Sequence, residues 1–159
     1  MVSRLSVVIF GLFLCTATAS AGAQDTMPIA VLEKTMAARL QTYETPALAK
    51  PTSAVRCSNA LAVVHVVVDE AGKVSSADYV SGYEELKDPA LAAVRRWTYK
   101  PYTVGGKPVV VETQASVFYL GDGESMPMYT PDGKGGTKGG NMLPLPPGCG
   151  SGPQIKRQN

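Results

Sequence analysis

Apolar positions along the chain fall into blocks of different spacing, and each spacing predicts a different element. The first block is Leu5 to Cys15, an almost unbroken apolar run behind Arg4, which gives way to small residues ending in Ala21-Gly22-Ala23 before Gln24. A charged start, a short apolar core and an A-x-A end follow the order of a secretory signal peptide. A membrane span needs roughly 20 consecutive apolar residues, about twice this run. Residues 1–23 are therefore expected to be a signal peptide cut at Ala23-Gln24, with export of the remainder. The alternative is an uncleaved inner-membrane anchor with the remainder facing the periplasm. A lipid attached at Cys15 fits less well, because Phe13-Leu14 are bulky where small residues are needed.

The second block predicts a helix over 25–43. Asp25 and Thr26 can cap it, and Pro28 suits a first turn. Ile29, Leu32, Met36, Leu40 and Tyr43 recur at helical spacing, with Glu33, Lys34 and Arg39 opposite. Pro46 to Ser58 reads as a connector with little regular structure. Helix and connector together form a segment 24–56.

The third block is richer in valine. Residues 60–69, Ala-Leu-Ala-Val-Val-His-Val-Val-Val-Asp, predict a strand. Asp69 to Gly72 predicts a turn, with Gly72 available for positive φ, and Lys73 to Ser81 a returning strand that ends at Gly82. The first strand is apolar on both faces: Ala62, Val64, Val66 and Val68 on one, Leu61, Val63 and Val67 on the other. Such a strand is usually covered on both sides. The N-terminal helix, the tail or a second copy of the chain is expected to supply the second cover, so a homodimer is one expectation.

A helix follows, with Asp88 as N-cap and Pro89 at its first position. Leu86, Ala90, Leu91, Val94 and Trp97 share its apolar face. Arg95 and Arg96 can stay in water, and Tyr99-Lys100-Pro101 stops it. Gly105-Gly106 predicts a turn and Pro108 to Leu120 a long final strand. Val109, Val111, Thr113, Ala115, Val117 and Tyr119 form its more apolar face, expected to meet the helices. From Gly121 the composition turns to Gly, Pro, Ser and Lys, and 121–159 reads as a flexible tail unless Cys149 pins it. Leu143 to Pro147 is either a polyproline ligand or a solvated spacer. The fold class is α+β: a small three-stranded antiparallel sheet with helices packed on it.

Composition adds boundaries. The 159 residues carry a formal charge of +2, so nothing in the charge calls for a nucleic-acid partner. Removal of 1–23 leaves one domain's worth of chain. Cys57 and Cys149 remain, and in an oxidising compartment they most simply form one disulfide; a free thiol pair and an intermolecular bridge are the alternatives. No metal site is expected from two cysteines and one histidine. His65 stands alone among valines, and no serine has the surroundings of a nucleophile. Glu84-Glu85 suits a helix start rather than a cleft. The glycines have no phosphate-loop spacing, and Asp122-Gly123-Glu124 and Asp132-Gly133-Lys134 read as turns rather than calcium loops. The chain is not expected to be an enzyme, and no cofactor is expected.

Val-His-Val-Val-Val-Asp-Glu-Ala-Gly-Lys-Val, then Val80-Ser81-Gly82, then Asp88 to Pro101 with its Ala-Val-Arg-x-Trp-x-Tyr-x-Pro run, then Gly106-Lys107-Pro108-Val109, occur in an order and spacing that resembles the C-terminal domain of the TonB family over roughly 57–120. The shared residues, Gly72, Gly82, Pro89, Val94, Trp97, Tyr99, Pro101 and Gly106, form a structural motif, so the likeness speaks to fold first. It implies a periplasmic module that binds an extended segment of an envelope protein, such as a TonB-dependent outer-membrane receptor, by β-strand addition. By the same resemblance the receiving edge is the final strand, at Val109, Val111, Thr113, Ala115 and Val117. The family's energy transducers keep an uncleaved membrane helix and a long Pro-rich spacer. Here a cleavable signal and a short helix stand in their place, so binding without force transmission is expected. An authentic transducer and a self-associating envelope protein are the alternatives.

Overall fold

A computed structural model describes residues 27–46, 48, 50–120, 124–140 and 149; the expected signal peptide and most of the far tail lie outside these. In chain order the elements are β1 (Ile29–Ala30), α1 (Glu33–Ala37), β2 (Leu40–Thr42), α2 (Ser53–Arg56), β3 (Leu61–Val68), β4 (Val74–Ser81), α3 (Lys87–Val94), β5 (Thr98–Tyr99), β6 (Thr103–Val104), β7 (Lys107–Pro108), β8 (Val111–Tyr119), β9 (Ser125–Pro127), β10 (Tyr129–Pro131) and β11 (Thr137–Gly139). The architecture is α+β, with helices on a mostly antiparallel sheet.

The valine-rich segment forms β3 because β-branched side chains pack well on a pleated surface. It pairs antiparallel with β8 in unbroken register from Leu61↔Phe118 to Val68↔Val111, and with β4 on its other side. Burial alternates as period two requires. Ala62, Val64, Val66 and Val68 are buried from β3, and Val111, Thr113, Ala115, Val117 and Tyr119 from β8. Leu86, Ala90, Val94 and Trp97 close over them. The β8 face expected to meet the helices does so.

The three-stranded sheet is too small a description. The main sheet has five strands in the order β1-β8-β3-β4, with β9 also on β8. β1 runs parallel to β8, Ile29↔Val111 and Ala30↔Glu112, and β9 runs antiparallel, Val117↔Pro127 to Tyr119↔Ser125. Both additions come from segments read as something else. The expected helix over 25–43 is α1 alone, five residues long, between two short strands. Its residues part company accordingly: Met36 and Leu40 are buried, while Ile29, Leu32 and Tyr43 are exposed. Pairing with distant strands outweighs the local helical period, since β2 pairs with β5 through Leu40↔Tyr99 and Thr42↔Thr98. Within the tail, 124–140 is ordered rather than flexible. Ser125 Oγ donates to the Pro46 carbonyl, and Asp132 Oδ1 closes the β10–β11 turn by accepting from the Lys134 and Gly136 N–H groups at 2.7 and 2.9 Å. The connector holds α2, with Val55 fully buried.

Among the described residues no helix lies over the second face of β3. Leu61, Val63, His65 and Val67 are half-buried, and Leu61, Phe118 and Met126 form a row across β3, β8 and β9. The N-terminal helix expected there is the short α1, which contacts β8, β10 and β11.

Helix α3 starts earlier than its punctuation predicts. A 3-10 turn over Glu84–Leu86 leads into it, and Leu86 rather than Asp88 holds the cap position, without a side-chain cap. The Leu86 N–H already bonds to the Tyr83 carbonyl, so the turn supplies the first bond that a cap would have supplied. Pro89 sits in the first turn, where its missing N–H costs nothing. After Val94 the chain tightens, Trp97 N–H reaching the Val94 carbonyl, and the indole Nε1 donates to the Glu44 carbonyl at 3.0 Å. Tyr99 N–H then bonds to the Gly72 carbonyl at 2.7 Å.

Cys57 and Cys149 form a disulfide, Cα atoms 5.3 Å apart, across 92 residues of sequence. By loop-closure entropy a Cys149→Ser variant should be about 3–4 kcal/mol less stable in urea unfolding. Gly72 has φ +83°, and a Cβ there would stand 1.9 Å from the Tyr99 carbonyl oxygen. Gly105 has φ +58° with open space around it. Gly105→Ala should therefore cost only the left-handed penalty, about 1 kcal/mol, and Gly72→Ala about 3 kcal/mol or more, because β5 must also move. Equal costs in the same unfolding experiment would contradict this account.

Candidate functional site

Strand addition needs main-chain groups that point away from the sheet, so the parity of β8 decides what a partner can reach. Val111, Thr113, Ala115 and Val117 face β3 with their main-chain groups and the core with their side chains. Val109 donates its N–H to the Tyr102 carbonyl. These five positions, expected to form the receiving edge, are thus the inner set. The outward groups belong to Val110, Glu112, Gln114, Ser116 and Phe118. The Val110 and Glu112 carbonyls accept from Ile29 and Val31 at 3.0 and 2.9 Å, and the Ser116 carbonyl accepts from Met128 at 2.8 Å.

The final strand is also not a bare edge. β1 covers its start and β9 its end. Between them a side chain completes the edge: Glu33 Oε1 accepts the Ser116 N–H at 2.7 Å. Burial raises the pKa of the Glu33 carboxyl, and the Ser116 hydrogen bond offsets only part of that. Burial, with the Glu33 charge second, pushes the Tyr99 phenol far up. Burial also pushes Tyr119 up to about 12, and among the described residues its hydroxyl has no hydrogen-bond partner.

Among the described residues no strand pairs on the outer side of β4, which is poorly built for pairing. Its register with β3 slips at Ser75 and again at Val80, each leaving one residue unpaired. Such bulges twist an edge away from new strands. Arg95 Nη2 also donates to the Ala77 carbonyl at 3.5 Å.

The motif residues sit apart from this edge. Gly72 and Gly82 end the β3–β4 hairpin at its two sides, and Pro89, Val94 and Trp97 carry α3. Tyr99 lies on β5, Pro101 accepts from Arg39 Nη1, and Gly106 turns β6 into β7. His65 Nε2 lies 3.6 Å from Glu112 Oε2 on the open face. Among the described residues no three His, Cys, Asp or Glu side chains gather closely enough to hold a metal. Nor is any helix of these residues long and apolar enough to cross a membrane. The residues that sequence reading missed are Ile29, Val31 and Glu33. Their signal was the alternation in Pro28-Ile29-Ala30-Val31, hidden beneath an overlapping helical period.

Residues 59–120 match the family described as Gram-negative bacterial TonB protein C-terminal, a family of protein-interaction domains of the bacterial envelope. This part of the chain is TonB C-terminal-like. The curated proteins and the solved structures hold no match to the chain.

The Glu33 environment yields a pH prediction. Its raised pKa means that the folded state holds this proton more tightly than the unfolded chain. Stability from this group is therefore present below the ordinary Glu value and is lost as pH rises through the folded value. Glu33→Gln keeps an oxygen for Ser116 and removes that loss. Its stability relative to the native chain should rise between about pH 4 and pH 7 in urea unfolding. A difference that is flat with pH would contradict the assignment.

Proposed function

We propose that this chain is an exported protein-binding module that takes an extended segment of an outer-membrane receptor, or another envelope protein, onto the outer edge of β8 in place of β1. One observation carries the reading. From Val110 to Gln114 that edge is occupied by nothing longer than a two-residue parallel strand that lies in water. Met27 is 90%, Leu32 79% and Ile29 42% exposed. Parallel pairing is slightly the weaker kind, and a strand this short adds little apolar burial. The segment is thus a placeholder that a longer partner strand can replace.

A partner strand in that position alternates. Residues at the places of Ile29 and Val31 lie beside Val111 and Thr113, on the core side, and favour apolar side chains. The residue at the place of Ala30 lies beside Glu112, on the open face. Main-chain bonds to Val110, Glu112 and Gln114 would supply affinity, and this alternation the selectivity. The reading needs no catalytic group, and it fits the TonB C-terminal-like domain, whose family interacts with outer-membrane receptors.

The placeholder makes the test quantitative. Ile29→Pro with Val31→Pro removes both N–H donors without shortening the chain. At about 1 kcal/mol per bond, affinity for a receptor-derived extended peptide should rise roughly 30-fold in calorimetry. Gln114→Pro, which blocks an outward N–H and leaves the β3 ladder whole, should abolish binding. Peptide binding that ignores both changes would refute the proposal.

A further inference from the structure

We propose a second site, separate from the strand edge: a phosphate-binding groove between α1 and the β10–β11 turn. The groove has a volume of about 530 Å³ and is lined by Lys34, Thr35, Arg39, Gly135, Gly136 and Thr137. That volume is in the range of small-ligand sites, roughly 300–1,000 Å³. Its lining has two cations, two hydroxyl side chains and no acidic side chain.

The two cations are positioned without being neutralised. Lys34 Nζ lies 5.3 Å from the centre of the Tyr129 ring, and Arg39 Cζ lies 4.9 Å from that of Tyr102. A ring face attracts a cation and orients it but leaves its full charge available. No carboxylate of the described residues lies within ion-pair distance of either one. Arg39 spends Nη1 on the Pro101 carbonyl, which fixes its plane and leaves other guanidinium N–H groups for a ligand. The acid beside the groove is Asp132, and its Oδ1 is engaged inside the turn by the Lys134 and Gly136 N–H groups. Lys134 and Lys138 on the same hairpin add positive charge nearby.

Phosphate is the anion this set suits best. It offers several acceptor oxygens, and a guanidinium, an ammonium and two threonine hydroxyls supply donors from both walls. The site is built from side chains of two elements and does not depend on a glycine-loop motif. A phosphate on a lipid headgroup and a phosphate on a soluble molecule share this chemistry.

The test titrates the full chain, labelled with 15N, with inorganic phosphate against a chloride reference at equal ionic strength. Saturable shifts are expected at the Thr35, Gly135, Gly136 and Thr137 amides. Lys34→Gln with Arg39→Gln should weaken binding roughly tenfold or more. Because Arg39 also holds Pro101, Lys34→Gln alone is the second variant, and it should weaken binding severalfold. Lys87→Gln, on the far helix, should leave it unchanged. Co-sedimentation with phosphatidylcholine vesicles containing phosphatidic acid, lost in the double variant, would assign the phosphate to a lipid headgroup. Phosphate binding without vesicle binding would assign it to a soluble ligand. Shifts absent from the groove, native-like binding by Lys34→Gln, or equal weakening by Lys87→Gln would overturn the proposal. None of these readouts depends on peptide binding at β8, so the two proposals fail separately.

Discussion

β3 and β8 pair over eight consecutive residues without a slip, and this ladder decides where everything else can go. It places the even residues of β3 and the odd residues of β8 on one face, where α3 and Trp97 seal the core. By the same geometry it turns the main-chain groups of Glu112, Gln114 and Ser116 away from β3. A one-residue slip would exchange both sets at once. Register is well specified here, because the inward set is apolar while Glu112 and Gln114 belong in water.

Elements whose signal is local were legible in the sequence. Valine density marked β3, Gly72 marked the turn, and the face from Leu86 to Trp97 marked α3, although its start lies before Asp88. Elements defined by distant partners were not. β1, β2, β5 and β9 are two or three residues long, too short for any period to register. Ile29 and Leu40 fit a helical pattern as well as they fit strands, and only Val111 and Tyr99 decide between the two. Composition misled over 124–140 for a related reason. Gly and Pro mark turns as readily as disorder, and Asp132 builds an ordered turn among them.

The outer side of β8 was legible as a strand and not as an edge. Side-chain alternation shows which residues of β8 are buried. It does not show which neighbour their N–H and C=O groups meet, because that depends on strand order. Once β3 takes the odd positions, the main-chain groups of Val111, Thr113, Ala115 and Val117 are turned to β3 and not to the outer side. The even positions beside them carry the outward main-chain groups, the line on which the proposed strand addition rests. Glu33 shows how such a line is completed, with a carboxylate standing where another strand's carbonyl would stand.

The two edges of the sheet solve one problem in different ways. Unpaired strand edges invite aggregation. β4 is protected by bulges at Ser75 and Val80, which are built into its backbone and cannot be removed without refolding the strand. β8 is protected by β1, Glu33 and β9, which are separate pieces laid against a strand of unbroken register with β3. Only the second kind of protection can be lifted without rebuilding the strand it covers. A strand held in one register by its ladder with β3, and covered at its start by a segment of two residues, is the one on which the proposed exchange would occur. Under the proposed exchange, the free energy holding β1 in place is a threshold that a partner strand must exceed, so weaker extended chains would be refused.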